Sequence, residues 1–226
     1  MTSLTYEPAI DPHAIPHGHQ VSLETGLDFI NTLEREKGSW RDDLAAPEVS
    51  LAWLSGHNLL HPDALRAELS RIEADPAYGE RLLNKVRRVR GAMRELVEAS
   101  VERRSPARPD LNEVNRALRT HYVTVLVPST DGVTMGHRHE GDPIDGAMAR
   151  LTESIARYLG EGKIDRLRVC ANDSCAWTFF DSSRTGRRKW CDMNTCGNRA
   201  KAARHRERLK VAAVGDATGD AVSASV

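Results

Sequence analysis

Four cysteines constrain this chain more than any other feature of its sequence. They follow the pattern Cys170-x4-Cys175, fifteen intervening residues, and Cys191-x4-Cys196. Two thiol pairs on short loops, joined by an arm of that length, suit a tetrahedral Zn²⁺ site. The alternative is four free or buried thiols, but the matched spacing in a chain with no other cysteine favours one zinc ion. Four thiolates leave no open position on the metal, so the pattern predicts a structural zinc that this segment needs in order to fold.

The charge of the chain is zero only as a sum. Its 32 basic and 32 acidic residues cancel, which taken alone argues against a nucleic-acid partner. From Ser182 to Lys210, however, ten basic residues face two acidic ones, so this stretch carries +8 and the rest of the chain carries −8. Phosphates relieve the self-repulsion of such a stretch. The sequence therefore predicts a nucleic-acid contact here, with a solvated basic segment that has no partner as the alternative.

The basic stretch has two parts. Residues 198–210 are rich in Ala, Arg and Lys and predict a helix with Asn198 as its N-cap. Its basic side chains point in nearly every direction, and only Ala202, His205 and Leu209 form a strip that can pack on the zinc lobe. The loop from Ser182 to Lys189 forms a second basic cluster, in which Ser and Gly let backbone N–H groups approach a phosphate.

The remainder of the chain predicts a mostly helical domain over residues 21–160. Apolar residues recur at helical spacing in several segments, the longest of which runs from Leu82 to Val101. Residues 121–127 and 133–137 are rich in β-formers and flank an Asp-Gly turn, which predicts a hairpin. Residues 1–20 are expected to form a flexible leader and residues 211–226 a disordered tail.

No apolar run reaches the length of about 18 residues that a membrane span needs, and the N-terminus has no secretory pattern. We therefore expect a cytoplasmic protein with no membrane contact. Within the helical domain, the polar residues Asp28, Asn31 and Thr32 interrupt an apolar segment. They are candidates for a ligand pocket between helices, and local hydrogen bonds of Asn31 and Thr32 are the alternative.

The cysteine segment resembles the CGNR zinc fingers. The name is spelled by Cys196-Gly-Asn-Arg199, and the resemblance extends over about residues 165–208 through Cys175-Ala-Trp-Thr-Phe-Phe-Asp181, Arg187-Arg-Lys-Trp-Cys-Asp-Met193 and Lys201-Ala-Ala-Arg204. Leu27-Asp-Phe-Ile-Asn-Thr32 is similar to the opening motif of the stress-induced regulator (ABATE) domain that usually precedes this finger. The resemblance implies a treble-clef-like four-cysteine lobe at residues 165–210 with a C-terminal helix. It also implies a bacterial transcription regulator that binds DNA.

The leading hypothesis is a zinc-finger regulator, not an enzyme, that binds double-stranded DNA. In it, Arg184, Arg187, Arg188 and Lys189 hold phosphates, and five residues share phosphates and base edges: Arg199, Lys201, Arg204, Arg206 and Arg208. The helical domain senses a small molecule, dimerises or does both. An enzyme anchored by the finger and an RNA- or protein-binding module remain alternatives. Trp177, Phe179, Phe180 and Trp190 are expected to form a small core around the zinc, with base stacking as the alternative.

Overall fold

The architecture comes from a computed structural model, which describes residues 15–16, 21–36 and 39–219. Helices predominate, in agreement with the fold class predicted above. The helices are α1 (Leu23–Asn31), α2 (Pro47–Gly56), α3 (Pro62–Ala74), α4 (Pro76–Val101), α5 (Arg108–Ala117), α6 (Pro143–Gly160) and α7 (Asn198–Gly219). The strands are β1 (Ile15–Pro16), β2 (Leu33–Glu36), β3 (Ser39–Asp42), β4 (His121–Ser129), β5 (Gly132–Glu140), β6 (Leu167–Val169) and β7 (Thr178–Phe180).

Helix α4 is the centre of the helical domain. It carries the long apolar series predicted from the sequence, and Val86, Met93 and Val97 on it are fully buried. Helices α1, α2, α3, α5 and α6 all pack against it, so a single hydrophobic core extends through the domain. Leu167 of β6 belongs to this same core. The end of the helical domain and the start of the cysteine segment are therefore packed together.

Three small antiparallel sheets accompany the helices. The predicted hairpin is confirmed as β4 and β5, which pair from His121 opposite Glu140 to Ser129 opposite Gly132. Strand β1 adds to the other edge of β5. The second sheet pairs β2 with β3, and the third pairs β6 with β7. The first cysteine pair lies in the connection between β6 and β7.

The ends of the chain differ from the sequence-based prediction. Helix α7 runs to Gly219, nine residues into the segment that we expected to be a disordered tail, because the Ala-rich sequence after Lys210 continues a good helix former. Residues 220–226 lie outside the described part. Most of the predicted leader, residues 1–14 and 17–20, also lies outside it, and Ile15–Pro16 forms β1.

The prediction that Asn198 is the N-cap of the last helix was also wrong. A π-helical turn, Met193–Gly197, precedes α7, and Asp192 caps it by accepting from the backbone N–H of Thr195. The carboxylate of Asp192 thus replaces Asn198 as the cap, and the helical segment starts at Met193. Among the described helices, none is long and apolar enough to cross a membrane.

Candidate metal centre and nucleic-acid interface

The four cysteine sulfurs form one cluster. All four Sγ atoms lie within 4.8 Å of one another. The Cys175 and Cys191 sulfurs are 3.6 Å apart, and those of Cys191 and Cys196 are 3.7 Å apart. A regular tetrahedron with Zn–S bonds of about 2.3 Å has S···S edges of roughly 3.8 Å. The cluster therefore fits one tetrahedral Zn²⁺ ion, the cofactor that the cysteine spacing predicts.

Local backbone structure brings the first pair together. Cys170 follows β6 and donates its N–H to the carbonyl of Trp177 at 2.8 Å, while Cys175 donates to the carbonyl of Asn172 at 2.8 Å. Ala176 has a φ of 59°, which allows the chain to turn tightly after the second ligand. The amide of Asn172 also donates to the Cys196 sulfur at 3.3 Å. This bond links the two pairs and orients one sulfur.

Four thiolates at this separation need a cation beside them. Hydrogen bonds, chiefly from the Cys191 thiol, lower the pKa of Cys170 to about 5. Burial raises the pKa of Cys175 to about 12, and its neighbours and burial raise the pKa of Cys191 further. Without a metal, the four sulfurs would therefore not all be thiolates at neutral pH. A bound Zn²⁺ supplies the positive charge that stabilises four thiolates at this separation and would hold the lobe together.

The expected aromatic core is confirmed for three of its four members. Phe179 is buried beside the cysteines, and Trp177 and Trp190 pack against the same cluster. Phe180 instead points to the helical domain, where its ring meets that of Tyr158 edge-on with centroids 5.8 Å apart. Neighbouring residues on a strand face opposite sides, so β7 joins the small zinc core to the main core.

The basic loop is built around a buried carboxylate. Asp181 is fully buried and accepts from the backbone N–H groups of Ser183 and Arg188. Hydrogen bonds, first from the side chain of Ser183 and then from these backbone groups, lower the pKa of Asp181 to about 2. The Arg188 guanidinium donates to the carbonyls of Trp190 and Cys191 and lies 5.2 Å from the Phe179 ring centroid. The side chain of Arg188 therefore holds the loop against the metal lobe, and a phosphate contact would compete with these bonds.

The other predicted DNA-binding residues lie on the surface. Arg184, Arg187 and Lys189 are exposed on the loop. Residues 201–209 of α7 are all exposed, and so is Arg199. Arg204 lies 5.9 Å from the centroid of the Trp190 ring, a cation–π contact between the helix and the metal lobe. The structure thus presents a basic surface formed by the loop and the helix.

The finger docks on the helical domain through its first half. The buried side chain of Asn31 donates to the Thr178 carbonyl at 2.8 Å and accepts from the Thr178 N–H at 2.9 Å. Arg94 of α4, only 7% exposed, donates to the carbonyls of Ala176, Ile30 and Leu33. These buried contacts involve the first half of the finger, and residues 201–209 of α7 remain exposed to solvent.

The three predicted ligand-binding residues have different surroundings. Asn31 makes the contact with Thr178 described above. Thr32 is buried, donates to the Phe29 carbonyl at 2.7 Å and accepts from Arg90 at 2.9 Å, as the local alternative predicted. Asp28 is exposed, and burial of part of its carboxyl raises its pKa. The structure does not bring the three side chains together around a cavity within the described residues, and a ligand site there stays a prediction.

Sequence reasoning missed a groove at the junction of the two lobes. It measures about 450 Å³ and lies between the β2–β3 hairpin and the metal cluster. Arg35, Arg41 and Arg199 line it, together with the indole of Trp177. The Trp177 Nε1 donates to Glu34 at 2.9 Å, and Arg41 pairs with the same carboxylate. The residues of this groove are far apart in the chain, so no sequence spacing indicates it.

A helical domain joined to a four-cysteine finger with an exposed basic helix defines the class of the protein as a zinc-finger protein with a helical N-terminal domain. Residues 23–162 match the family described as "Putative stress-induced transcription regulator" (ABATE), and residues 166–209 match the CGNR zinc finger. The chain belongs to the ABATE family, which covers more than half of its length. Both descriptions are those of a regulator and a finger, not of an enzyme. No curated protein matches the chain.

Proposed function

We propose that this protein regulates transcription by binding double-stranded DNA through its finger. One observation carries the proposal: a metal-anchored lobe presents an exposed helix with Arg199, Lys201, Arg204, Arg206 and Arg208. A helix fits the major groove of duplex DNA, where arginine and lysine read guanine edges. The exposed loop residues Arg184, Arg187 and Lys189 add phosphate contacts that fix the position of the lobe on the duplex.

The experiment is a salt titration of DNA binding with the full zinc-loaded chain. Fluorescence anisotropy measures affinity for a labelled duplex at several salt concentrations. Each neutralised phosphate contributes about −0.9 to the log–log slope. The Arg204→Gln/Arg208→Gln variant should bind more weakly and, if both residues contact phosphates, lose about two units of slope. The control is Arg66→Gln/Arg71→Gln, which removes the same charge from the exposed surface of α3.

Three results would contradict the proposal. They are salt-insensitive binding, no binding, and an equal loss in the α3 control. Tighter binding to a single-stranded or duplex RNA of the same sequence would point to the RNA-binding alternative.

The regulator acts as a homodimer in this proposal. One finger with one short helix reads few base pairs, and two copies match a palindromic site. The β4–β5 hairpin offers a surface for the second copy, because Leu126 opposes Met135 and Pro128 opposes Val133 on one face. Leu126, Val133 and Met135 are 70%, 68% and 52% exposed. Strand β4 carries no Lys, Arg, Asp or Glu, and its outer edge has no strand partner within the described residues.

Light scattering during size-exclusion chromatography tests the dimer. The wild-type chain should elute with twice the mass of 25.0 kDa. Leu126→Glu should shift it to the monomer, since two carboxylates would meet near the two-fold axis. Leu209→Glu, which changes a leucine of α7 that is 57% exposed, is the control and should stay dimeric. A monomeric wild type at high concentration, with and without DNA, would contradict the dimer.

A further inference from the structure

A second cavity, which lies within the helical domain, has the character of a small-molecule site. It measures about 350 Å³ and opens between α4, α5 and α6. This volume lies at the lower end of the range for ligand pockets, which starts near 300 Å³. The residues that line it are Lys85, Arg88, Val89, Glu113, Arg116, Ala117, Arg119, Asp145 and Met148.

The pocket is cationic although the domain is acidic. Residues 23–162 contain 23 acidic and 19 basic residues, a net charge of −4. The pocket alone has four cations and two carboxylates, a net charge of +2. This local reversal of sign is not expected of a surface patch that only keeps the protein in solution. It marks a place where negative charge is favoured.

The ion pairs show where the excess charge resides. Lys85 is neutralised by Asp145 at 2.8 Å. Arg88 and Arg116 share one carboxylate, that of Glu113, which Arg88 approaches to 3.5 Å. Within the described residues, the guanidinium of Arg119 has no hydrogen-bond or ion-pair partner. The shared carboxylate and Arg119 together leave two positive charges without a counter-charge in the pocket.

The floor of the pocket is apolar. Val89 and Met148 are 2% and 1% exposed, and both belong to the hydrophobic core of the domain. Ala117, at the end of α5, completes the apolar side of the wall. A ligand that filled the pocket would therefore bury an apolar group against the core while its charged groups faced the arginines at the rim. Such a division between apolar walls and a few polar groups is typical of small-molecule sites.

We propose that this pocket binds a small dianion with an apolar group, such as a phosphate monoester or a dicarboxylate. Arg119 and the Arg88–Arg116 pair hold the two negative charges, since guanidinium groups bind phosphate and carboxylate through paired hydrogen bonds. The role of this ligand as an effector rests on the proposed regulator function, but its binding does not. Helix α4 connects the two sites, because it carries Arg88 in the pocket and Arg94 against the finger.

Isothermal titration calorimetry on the full zinc-loaded chain tests the site with three probes. Phenyl phosphate and phthalate represent the two dianions, and benzoate is the monoanion of similar size. At least one dianion should bind about tenfold or more tightly than benzoate, because a charge-assisted hydrogen bond contributes roughly that factor. Arg119→Gln should weaken the dianion by a similar factor. Arg103→Gln, which removes an equally exposed charge outside the pocket, should leave the affinity unchanged.

The basic finger is a competing site for anions, so the Arg204→Gln/Arg208→Gln variant is measured with the same probes and should retain the affinity of the wild type. Three results would overturn the proposal that the pocket binds a dianion. They are no dianion binding at millimolar concentration, an equal loss in Arg103→Gln, and a loss confined to the finger variant. DNA affinity is measured on the same preparations. A failure of the regulator proposal would show as absent DNA binding, while the calorimetry tests the pocket proposal independently.

Discussion

At the residue scale, Asn31 is the most informative side chain of the helical domain. It is 6% exposed, and both ends of its amide bond to the backbone of Thr178. An amide matches a strand residue that needs one donor and one acceptor, and no aliphatic residue can replace it. The role of Asn31 is therefore positional, since it fixes the strand that follows the first cysteine pair.

Replacing Asn31 by Ala should lower the free energy of unfolding by about 2–3 kcal/mol, because it leaves a buried N–H and a buried carbonyl without partners. Urea denaturation followed by circular dichroism measures the change. Asn115→Ala is the matched control, since Asn115 is exposed on α5, and it should change the stability by less than about 0.5 kcal/mol. Equal stability of the two variants would mean that the Asn31 bonds contribute nothing.

Glu95 gives the protein a pH-dependent contribution to stability. Arg104 holds it through two guanidinium nitrogens, and the N–H of Ala107 adds a third hydrogen bond. These bonds lower the pKa of Glu95 to about 2. A carboxyl with a lowered pKa stabilises the fold above its unfolded-state pKa of about 4.3. That contribution is lost as the pH falls from about 4.3 to 2.

Glu95→Gln should therefore be less stable than the wild type at pH 6, and the difference should shrink below pH 4. Thermal unfolding at several pH values measures it. Glu73→Gln is the control, because Glu73 is exposed and has no hydrogen-bond or ion-pair partner in the described part of the chain. Taking the difference in melting temperature between the wild type and each variant at the same pH cancels the effect of zinc loss in acid. A difference that stays constant down to pH 2 would argue against the low pKa.

At the element scale, the two halves of the finger depend on different interactions. Strands β6 and β7 pack on the helical core through Leu167 and Phe180. The loop, the π-helical turn and the start of α7 rest on the thiol cluster and on the bonds of Asp181 and Arg188. The metal should consequently matter more for the second half of the finger than for the first.

Zinc chelation should expose that difference in hydrogen exchange. Protection should fall over residues 182–200, whereas the amides of α4 and α6 should exchange at their former rate, because their core is a separate cluster from that of the cysteines. Mass spectrometry with and without a chelator measures this, and a zinc-saturated chelator is the control. Loss of protection throughout the chain would mean that the helical domain also needs the metal.

At the scale of the whole molecule, the two lobes are packed together through buried contacts. Buried bonds of Asn31 and Arg94 and the shared apolar core cross their boundary. The acidic domain and the basic finger therefore meet through backbone carbonyls, a strand and aromatic rings, while the exposed arginines of α7 face outward.

A single cooperative transition should follow for the zinc-loaded chain. In a Trp40→Phe/Trp53→Phe background, Trp177 and Trp190 alone report the finger while the helices dominate the dichroism. Thermal unfolding detected by helical circular dichroism and by tryptophan fluorescence should then give the same midpoint. In Arg94→Ala the guanidinium that joins Ala176 to α1 is lost, and the two midpoints should separate. Separate midpoints already in the wild type would show that the lobes unfold independently.

The sequence by itself determined the metal, the hairpin, the long helix and the segregation of charge. Each of these depends on local spacing: paired thiols, β-rich runs around an Asp-Gly turn, apolar residues at helical period, and a run of basic residues. Local spacing also explains why Asn198 was wrongly predicted as the cap, since Asp192 and Asn198 are both capping residues and only the backbone path chooses Asp192.

Only the tertiary structure decided how the parts are used. Asn31 bonds to a strand 147 residues away, so its sequence neighbours give no sign of it. Arg188 folds back onto carbonyls of its own loop, which separates it from the other basic residues although all have the same charge. The cationic pocket arises because α4, α5 and α6 converge, and it depends on distances between helices that the order of residues does not specify.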